Sequence, residues 1–442
     1  MTDHIPASGT RAPRYTSYPP ATQFTDAVGP KAMNAWLDKT KPGARISLYV
    51  HIPFCRRLCW FCACRTQGTR TDAPLEDYFD TLEAEIALVA DKLPQDVTVS
   101  RLHLGGGTPT LLPPALLDRL FTMLDARLPR AVGAETAVEV DPTELDDARL
   151  DVLAARGMTR ASLGVQDFNP AVQAAIGRPQ GIDCTRSAID GLRARGVAGI
   201  NLDLLYGLPH QTVATLDATL ETVLALAPDR LALYGYAHVP WVSRRQVMID
   251  EAALPGPEAR LALSRHAERR LRLSGYRAIG FDHFARPGDA LSRAADAGTL
   301  HRNFQGYTVD AEDVLLGLGA SAISRTPWGY AQNAARTADW VARIRGGRLS
   351  TARGHAFGGD DRLRGAVIER LLCDFAIAPE RFGQSDRVRE MTAQIAARWP
   401  DAVRRTPDGR LVIRPESRHL ARLIAMTIDS YARPEGRHSL AI

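Results

Sequence analysis

Lysine is almost missing from this chain. Lys31, Lys39, Lys41 and Lys92 are the only four among its 55 basic residues, and the rest are arginine. The net charge is a modest +5, and no dense basic run carries interleaved aromatics, so the arginines do not read as a nucleic-acid surface. Arginine does suit carboxylate-rich ligands, because its planar fork pairs bidentately. Long apolar runs are missing too. None approaches the roughly 18 residues that cross a bilayer, and the start has no secretory pattern, so a soluble, cytoplasmic protein without a membrane span is expected. Cysteine is scarce. Six in 442 residues are too few for a disulfide framework. What remains is ordinary: 45% apolar and 24% charged residues describe a folded globular chain and exclude global disorder.

From about residue 46 to residue 238 short β-rich runs alternate with helical periodicity. The runs are Ile46–Phe54, Thr98–Leu104, Thr136–Asp141, Arg160–Asp167, Ile200–Tyr206 and Arg230–Tyr236. Helical segments lie between them at Leu75–Lys92, Pro114–Leu128, Leu145–Arg156, Cys184–Arg195 and Thr212–Leu226. Gly157 and Gly196 stand where helix C-caps belong. Six successive βα units imply parallel strands and right-handed crossovers. Polar residues gather at the C-terminal end of every strand: Cys55, Gly105–Gly107, Glu139 and Asp141, Gln166 and Asp167, Asp203, and Ala237-His238. That ring favours a barrel rim over the single switch point of an open sheet. Further on, the pattern predicts a helix at Pro257–Ser274, a strand at Arg277–Asp282, a helix at Arg362–Phe375, a hairpin turn at Asp408-Gly409 and a final helix at Leu420–Tyr431.

Four of the six cysteines fall in one cluster, Cys55-x3-Cys59-x2-Cys62-x-Cys64, directly after the first strand. Cys184 and Cys373 stand alone and read as small buried residues. Structural zinc wants two separated knuckles, and none follows. Disulfides suit neither the spacing nor the expected compartment, and ferredoxins use other spacings with a distant fourth ligand. The reading that remains is a 4Fe–4S cluster on Cys55, Cys59 and Cys62 with one iron left open, where a substrate or cofactor binds and receives an electron directly. Trp60 and Phe61 would shield it or simply pack the loop. Gly105-Gly106-Gly107-Thr108-Pro109 after the second strand lets backbone approach a ligand closely, and the absence of Gly-Lys-Ser/Thr excludes a phosphate loop of the Walker type.

This cysteine loop, so placed, resembles that of the radical S-adenosylmethionine superfamily. The likeness extends along the chain. Arg14-Tyr15-Thr16-Ser17-Tyr18-Pro19, Leu48-Tyr49-Val50-His51-Ile52-Pro53-Phe54-Cys55, Glu139-Val140-Asp141-Pro142, Gly164-Val165-Gln166-Asp167-Phe168, Asp203–Pro209, Asp282–Ala285 and His301–Thr308 together resemble the oxygen-independent coproporphyrinogen III oxidase (dehydrogenase) family. The N-terminal string, Cys64 and His301–Thr308 separate that family from its haem-binding chaperone branch, which does not turn over. An enzyme acting on haem itself, such as a ring-opening methyl transferase, is a third reading.

The resemblance implies an α/β fold: a partial (β/α)6 barrel like a TIM barrel, over residues 41–350, with an N-terminal extension or lid over 1–40 and a small, mostly helical domain over 351–442. It implies two adenosylmethionine molecules. One would sit on the open iron beside Tyr49, Gly106, Glu139 and Ile323. The other would lie against Phe61, Gly107, Thr108, Gln166, Arg178, Asp203 and Ala237. Glu139 and Asp203 can accept from an ammonium or ribose hydroxyls, and Arg178 can fork onto a carboxylate. The plain alternatives are helix caps for the two acids and a solvated surface position for the arginine. The implied reaction converts two propionates of coproporphyrinogen III to vinyl groups by 5′-deoxyadenosyl hydrogen abstraction, giving protoporphyrinogen IX for haem synthesis. It calls for an external electron donor and acceptor and works in a monomer. Arg14, Arg302 and other rim arginines, with Arg11 beside them in the lid, are candidates for holding the substrate's carboxylates.

Overall fold

The structure, a computed structural model, describes residues 12–432. Its centre is one sheet of twelve strands, β1 (Arg45–Ile52), β2 (Thr98–Gly106), β3 (Arg130–Val140), β4 (Arg160–Gln166), β5 (Gly199–Tyr206), β6 (Arg230–Gly235), β7 (Arg277–Ile279), β8 (His283–Ala285), β9 (Leu315–Leu318), β10 (Ile323–Thr326), β11 (Gly329–Asn333) and β12 (Thr351–Ala356). Their order across the sheet is β12-β11-β10-β9-β1-β2-β3-β4-β5-β6-β8-β7. Strands β1 to β6 are parallel neighbours in chain order, each followed by a helix, which makes the (β/α)6 partial barrel. Strand β9 adds a further parallel neighbour to β1, and the remaining strands extend both edges antiparallel.

The strands are buried on both faces because helices cover one side and barrel contents the other. Strand β1 leaves only Arg45 exposed. The helix Ala73–Ala90 turns Leu75, Phe79, Leu82, Ile86 and Val89 inward at helical spacing. Each such side chain contributes about 1.5–3 kcal/mol of burial. Asp146 caps one crossover helix through the Arg149 amide, and Thr212 with Thr215 forms a reciprocal cap on another. Gly157 and Gly196 follow their helices at φ +77° and +82°.

The edges differ from expectation. Arg277–Asp282 is not one strand. The chain reverses at Gly280, φ +57°, because the Tyr307 ring occupies the space where a Cβ would stand, leaving two three-residue strands. Leu420–Tyr431 is helical only over Ala421–Ala425, flanked by 3-10 turns. Its end is claimed instead by the N-terminal segment: Tyr15 Oη donates to Asp429 Oδ2 (2.9 Å), and the Ser430 amide donates to Tyr18 Oη (3.0 Å).

Two large hydrophobic clusters stand out among the four of the described residues. The larger lines the barrel and its helices. The other joins helices Asp361–Asp374 and Ser385–Arg398 to a small sheet of Ala376–Ile377, Val403–Arg405 and Leu411–Ile413, and includes Ala12, Tyr15 and Tyr18. The described part of the N-terminal extension divides between the two: Ala12, Tyr15 and Tyr18 pack into the C-terminal core, whereas Val28, Met33, Trp36 and Leu37 pack into the barrel cluster. Arg14 donates to the Gly235 carbonyl at the barrel rim (3.2 Å). Arg11 lies outside the described residues. The main sheet continues through β12 to Ala356, past the boundary expected at 351.

Candidate active site

Strand β1 ends in the cysteine loop. Its return is fixed by parallel pairing of Phe54-Cys55 with Gln67-Gly68. The three glycines at the end of β2, Gly105 to Gly107, allow close packing of its neighbours. A Cβ on Gly107 would stand 2.5 Å from the Phe54 carbonyl oxygen; one on Gly106, at φ +110°, would stand 2.5 Å from the His51 ring; one on Gly105 would meet Glu139 at 2.7 Å. The close approach expected at this turn is thus first an approach of the chain to itself.

All four loop cysteines carry free thiols. Each of the three expected ligands has a donor at its sulfur. Thr108 Oγ1 lies 3.6 Å from Cys55 Sγ, Arg178 Nη1 3.2 Å from Cys59 Sγ, and the Cys64 amide 3.4 Å from Cys62 Sγ. Hydrogen bonding from Cys64 holds the Cys62 thiol down to about 6, against its burial and with the help of Arg245 and Arg178. At Cys62 these donors and guanidinium groups favour the thiolate that an iron–sulfur cluster requires, whereas burial pushes the Cys55 thiol up to about 11 against its bond from Thr108. Among the described residues no group of three His, Cys, Asp or Glu side chains converges as a single ion would need. Cluster thiolates bind different irons and stand further apart, so the residues present fit the cluster.

The loop and the strand ends enclose a cavity of about 190 Å³ lined by Cys55, Cys59, Cys62, Phe61, Gly106, Gly107, Thr108, Glu139, Gln166, Arg178 and Asp203. Eleven positions expected from sequence as cluster or cofactor contacts, from strand ends, the cysteine loop and Arg178, thus line one cavity. Glu139 caps no helix: it accepts from the Gly106 amide (2.9 Å) and meets His103 Nε2 (3.2 Å). Burial would raise it, but His103, Gly106 and His51 more than offset that and hold it below the usual carboxylate range. Asp203 accepts from Asn201 Nδ2 (2.8 Å) and Ser162 Oγ (3.1 Å). Burial and the neighbouring Glu139 charge push it up to about 6. Arg178 is buried, not a surface arginine, and bonds the Gly164 carbonyl (2.9 Å) beside Asp141 (3.3 Å). Gln166 ends β4 at φ +67°, an uncommon conformation for a residue other than glycine and one that gathers at functional sites.

Ala237 and Ile323 do not line this cavity. Gln246 bridges Ala237 to Phe61 by bonding both carbonyls (3.1 and 2.8 Å), and Ile323 backbone presses on Gly317. Trp60 packs on Gly177 and the Val172–Ile176 cluster instead of shielding the cysteines. Tyr49 faces the adjoining barrel interior, its hydroxyl 2.9 Å from His51 Nδ1. His51 Nε2 also reaches the Arg65 carbonyl (3.0 Å), tying β1 to the end of the cysteine loop. Sequence reasoning gave no role to His51, His103, Ser162 or Asn201. The signal was there in the period-2 strand pattern: Asn201 precedes Asp203 on the same face, and His103 pairs in register with Tyr49.

The barrel interior is a second cavity, of about 460 Å³, sharing Cys64, Glu139, Ser162 and Asp203 with the first. The hairpin His301–Asn303/Gly306–Thr308 roofs part of it. Through Arg14 and Tyr234 it continues into a small cavity of about 60 Å³ lined by Arg14, Arg260, Arg302, Arg418 and Arg422 with a single carboxylate, Asp282. Arg302 Nη2 stands 3.6 Å from Asp282, its plane near the Phe281 and Tyr307 rings, while its Nε and Nη1 are buried without a hydrogen-bond partner. Burial and then the Arg14 cation push Arg422 down to about 10.

A partial (β/α)6 barrel with this cysteine loop on its first strand defines a radical SAM protein, and residues 49–223 match the model of the Radical SAM superfamily. The chain is 52% identical over 438 residues to the oxygen-independent coproporphyrinogen III oxidase of Paracoccus denitrificans, covering 98% of this chain and 97% of that one. It is 39% identical over 431 residues to the Escherichia coli protein of the same description, covering 96% and 94%. A solved structure of the coproporphyrinogen III oxidase from Escherichia coli, described as a radical SAM enzyme, superposes with a TM-score of 0.90 at 38% identity, covering 95% of this chain and 98% of that one. The chain belongs to the oxygen-independent coproporphyrinogen III oxidase family.

Proposed function

We infer that the protein is an oxidoreductase of porphyrin and haem biosynthesis that oxidatively decarboxylates two propionates of coproporphyrinogen III to vinyl groups without oxygen. One observation carries the reading beyond family membership: the cavity that fits a cluster and adenosylmethionine shares a wall with a barrel interior that runs on into a nest of arginines. When bound, the cluster and adenosylmethionine supply a carbon radical able to take a hydrogen atom from a propionate β-carbon; loss of carbon dioxide and one electron then leaves the vinyl group.

The chain's own residues divide the remaining work. Cys55, Cys59 and Cys62 hold the cluster, and Cys64 supports it through Cys62. Glu139, with Tyr49 and Gly106, receives the first adenosylmethionine. Phe61, Gly107, Thr108, Gln166, Arg178 and Asp203 receive a second, with Ala237 and Ile323 acting through backbone. The wall shared by the two cavities supports a two-molecule arrangement, because both would meet the substrate there. Arg14 and Arg302 hold carboxylates that the reaction leaves in place. A buried unpaired carboxylate is costly, and a space of about 60 Å³ admits a propionate arm but not a macrocycle. The barrel excludes water while the radical exists.

The test is anaerobic incubation of the reconstituted protein with coproporphyrinogen III, adenosylmethionine, dithionite and an electron acceptor. Mass analysis should find protoporphyrinogen IX with two cofactors consumed per substrate. Binding of tetrapyrrole without any decarboxylation would favour the chaperone reading and end this one.

A further inference from the structure

Whatever reduces the cluster must reach it from outside, and this need rests on the function proposed above. Among the described residues seven large apolar side chains are strongly exposed, and four of them, Trp241, Val242, Val247 and Met248, fall within eight residues, at 42% to 69% exposure. The other three are scattered singly, as is normal for a surface. A clustered apolar patch marks a contact surface.

The segment that carries the patch is fastened to the cysteine loop from behind. Ser243 Oγ donates to the Cys62 carbonyl (2.9 Å), Gln246 Nε2 to the Phe61 carbonyl (2.8 Å), and Arg245 Nη2 to the Thr66 carbonyl (3.1 Å) and hydroxyl (2.8 Å). Beside it runs a surface groove of about 480 Å³ lined by Arg65, Arg244, Arg245 and Arg336, with no acidic lining residue. Asp339 approaches only the rim, 3.9 Å from Arg336. The segment behind the cysteine loop is thus apolar at Trp241–Val242 and Val247–Met248 and cationic along the groove beside it, with the exposed Asp250 and Glu251 following Met248.

We propose that Trp241–Met248 and the adjoining arginine groove form the docking surface for an acidic one-electron donor protein. An apolar centre with a charged rim is the anatomy of a transient interface. The basic rim selects an acidic partner and speeds its approach, an effect that salt weakens. Docking here would bring a donor against the segment that bonds the Phe61, Cys62 and Thr66 carbonyls of the cysteine loop.

The experiment compares two reductants on the reconstituted holoenzyme. One is dithionite, which needs no docking. The other is a reduced flavodoxin, an acidic flavin protein used as the probe. Arg244→Glu with Arg336→Glu, and separately Val247→Ser with Met248→Ser, should lower flavodoxin-driven cluster reduction by about tenfold or more at low salt. Dithionite-driven reduction and the cluster's absorption should match the unaltered protein. Fluorescence of Trp241 should respond to oxidised flavodoxin in the unaltered protein and lose that response in the charge-reversed one. Equal rates with flavodoxin in all proteins would overturn the proposal. So would equal loss with both reductants, or a dimer in sedimentation that the same substitutions dissociate. Failure of the unaltered protein to form product with dithionite would instead count against the function itself.

Discussion

The cofactor cavity and the arginine cavity sit on one barrel but are made in opposite ways. The first is assembled from consecutive strand ends, each contributing a short contiguous string, so that Cys55–Cys62, Gly106–Thr108, Glu139, Gln166 and Asp203 arrive by repetition of one βα step. The second draws Arg14, Arg260, Arg302, Arg418 and Arg422 from four distant parts of the chain. The first is rich in backbone and hydrogen-bonded carboxylates and resists change because its glycines are packed against the chain itself. The second is a set of like charges held together around one Asp282. The residues matching the superfamily's cysteine loop and strand ends lie where the fold repeats, and the arginines lie where it does not.

The sharpest way to break this contrast is at the cysteines. Replacing Cys55, Cys59 or Cys62 by Ala should abolish the iron–sulfur absorption, while Cys64→Ala should keep a cluster and impair turnover. A normal, cofactor-responsive cluster in the three single variants would remove the assignment. Nearly as large is the effect expected of Gly107→Ala, whose new methyl would meet the Phe54 carbonyl at 2.5 Å. Iron content should fall severely. Gly358→Ala, where nothing stands within 4 Å, should change stability by no more than about 0.5 kcal/mol.

The arginine cavity answers in affinity. Arg302→Gln made together with Asp282→Asn, which removes that ion pair as a unit, should raise KM for coproporphyrinogen III by about 10- to 100-fold, the worth of a charge-assisted hydrogen bond. An unchanged KM would mean the carboxylates are held elsewhere. Smallest is the pH effect at Asp203. Its folded value of about 6 lies above the ordinary 3.8. As pH falls through about 6 the carboxylate takes a proton, so binding of adenosylmethionine should weaken there. Stability runs the other way: the raised value favours the fold at low pH, and that contribution is lost as pH rises from about 4 through about 6. Asp203→Asn should remove both inflections from titrations of binding and of thermal midpoint.

The same contrast explains what could be read in advance. The six core strands and most of their helices were legible, because double burial and helical periodicity leave strong patterns, though β3 begins six residues before the expected Thr136 and the short helix Pro170–Ala175 was missed. Strands β9 to β12 were not. They are short and broken by glycines whose reason is the backbone of another strand: Gly354 stands where a Cβ would strike Tyr330, and Gly317 where it would strike Ile323. In the site, Glu139, Asp203 and Gln166 followed from their strings, whereas the depth of Arg178 against Cys59 depends on a turn 119 residues away. Arg14 and Arg302 could be suspected as cations, but Arg260, Arg418 and Arg422 beside them belong to helices and turns that give no local sign of a shared cavity.

The bonds from Tyr15 to Asp429 and from Tyr18 to Ser430 also impose an order of events in time. The residues joined by the first are 414 positions apart. At a synthesis rate of roughly 5–20 residues per second, the opening segment waits about 20–80 seconds for its partner to leave the ribosome. The barrel strands and their helices are synthesised well before that, so docking of the N-terminal segment onto the C-terminal core is among the last contacts that translation permits.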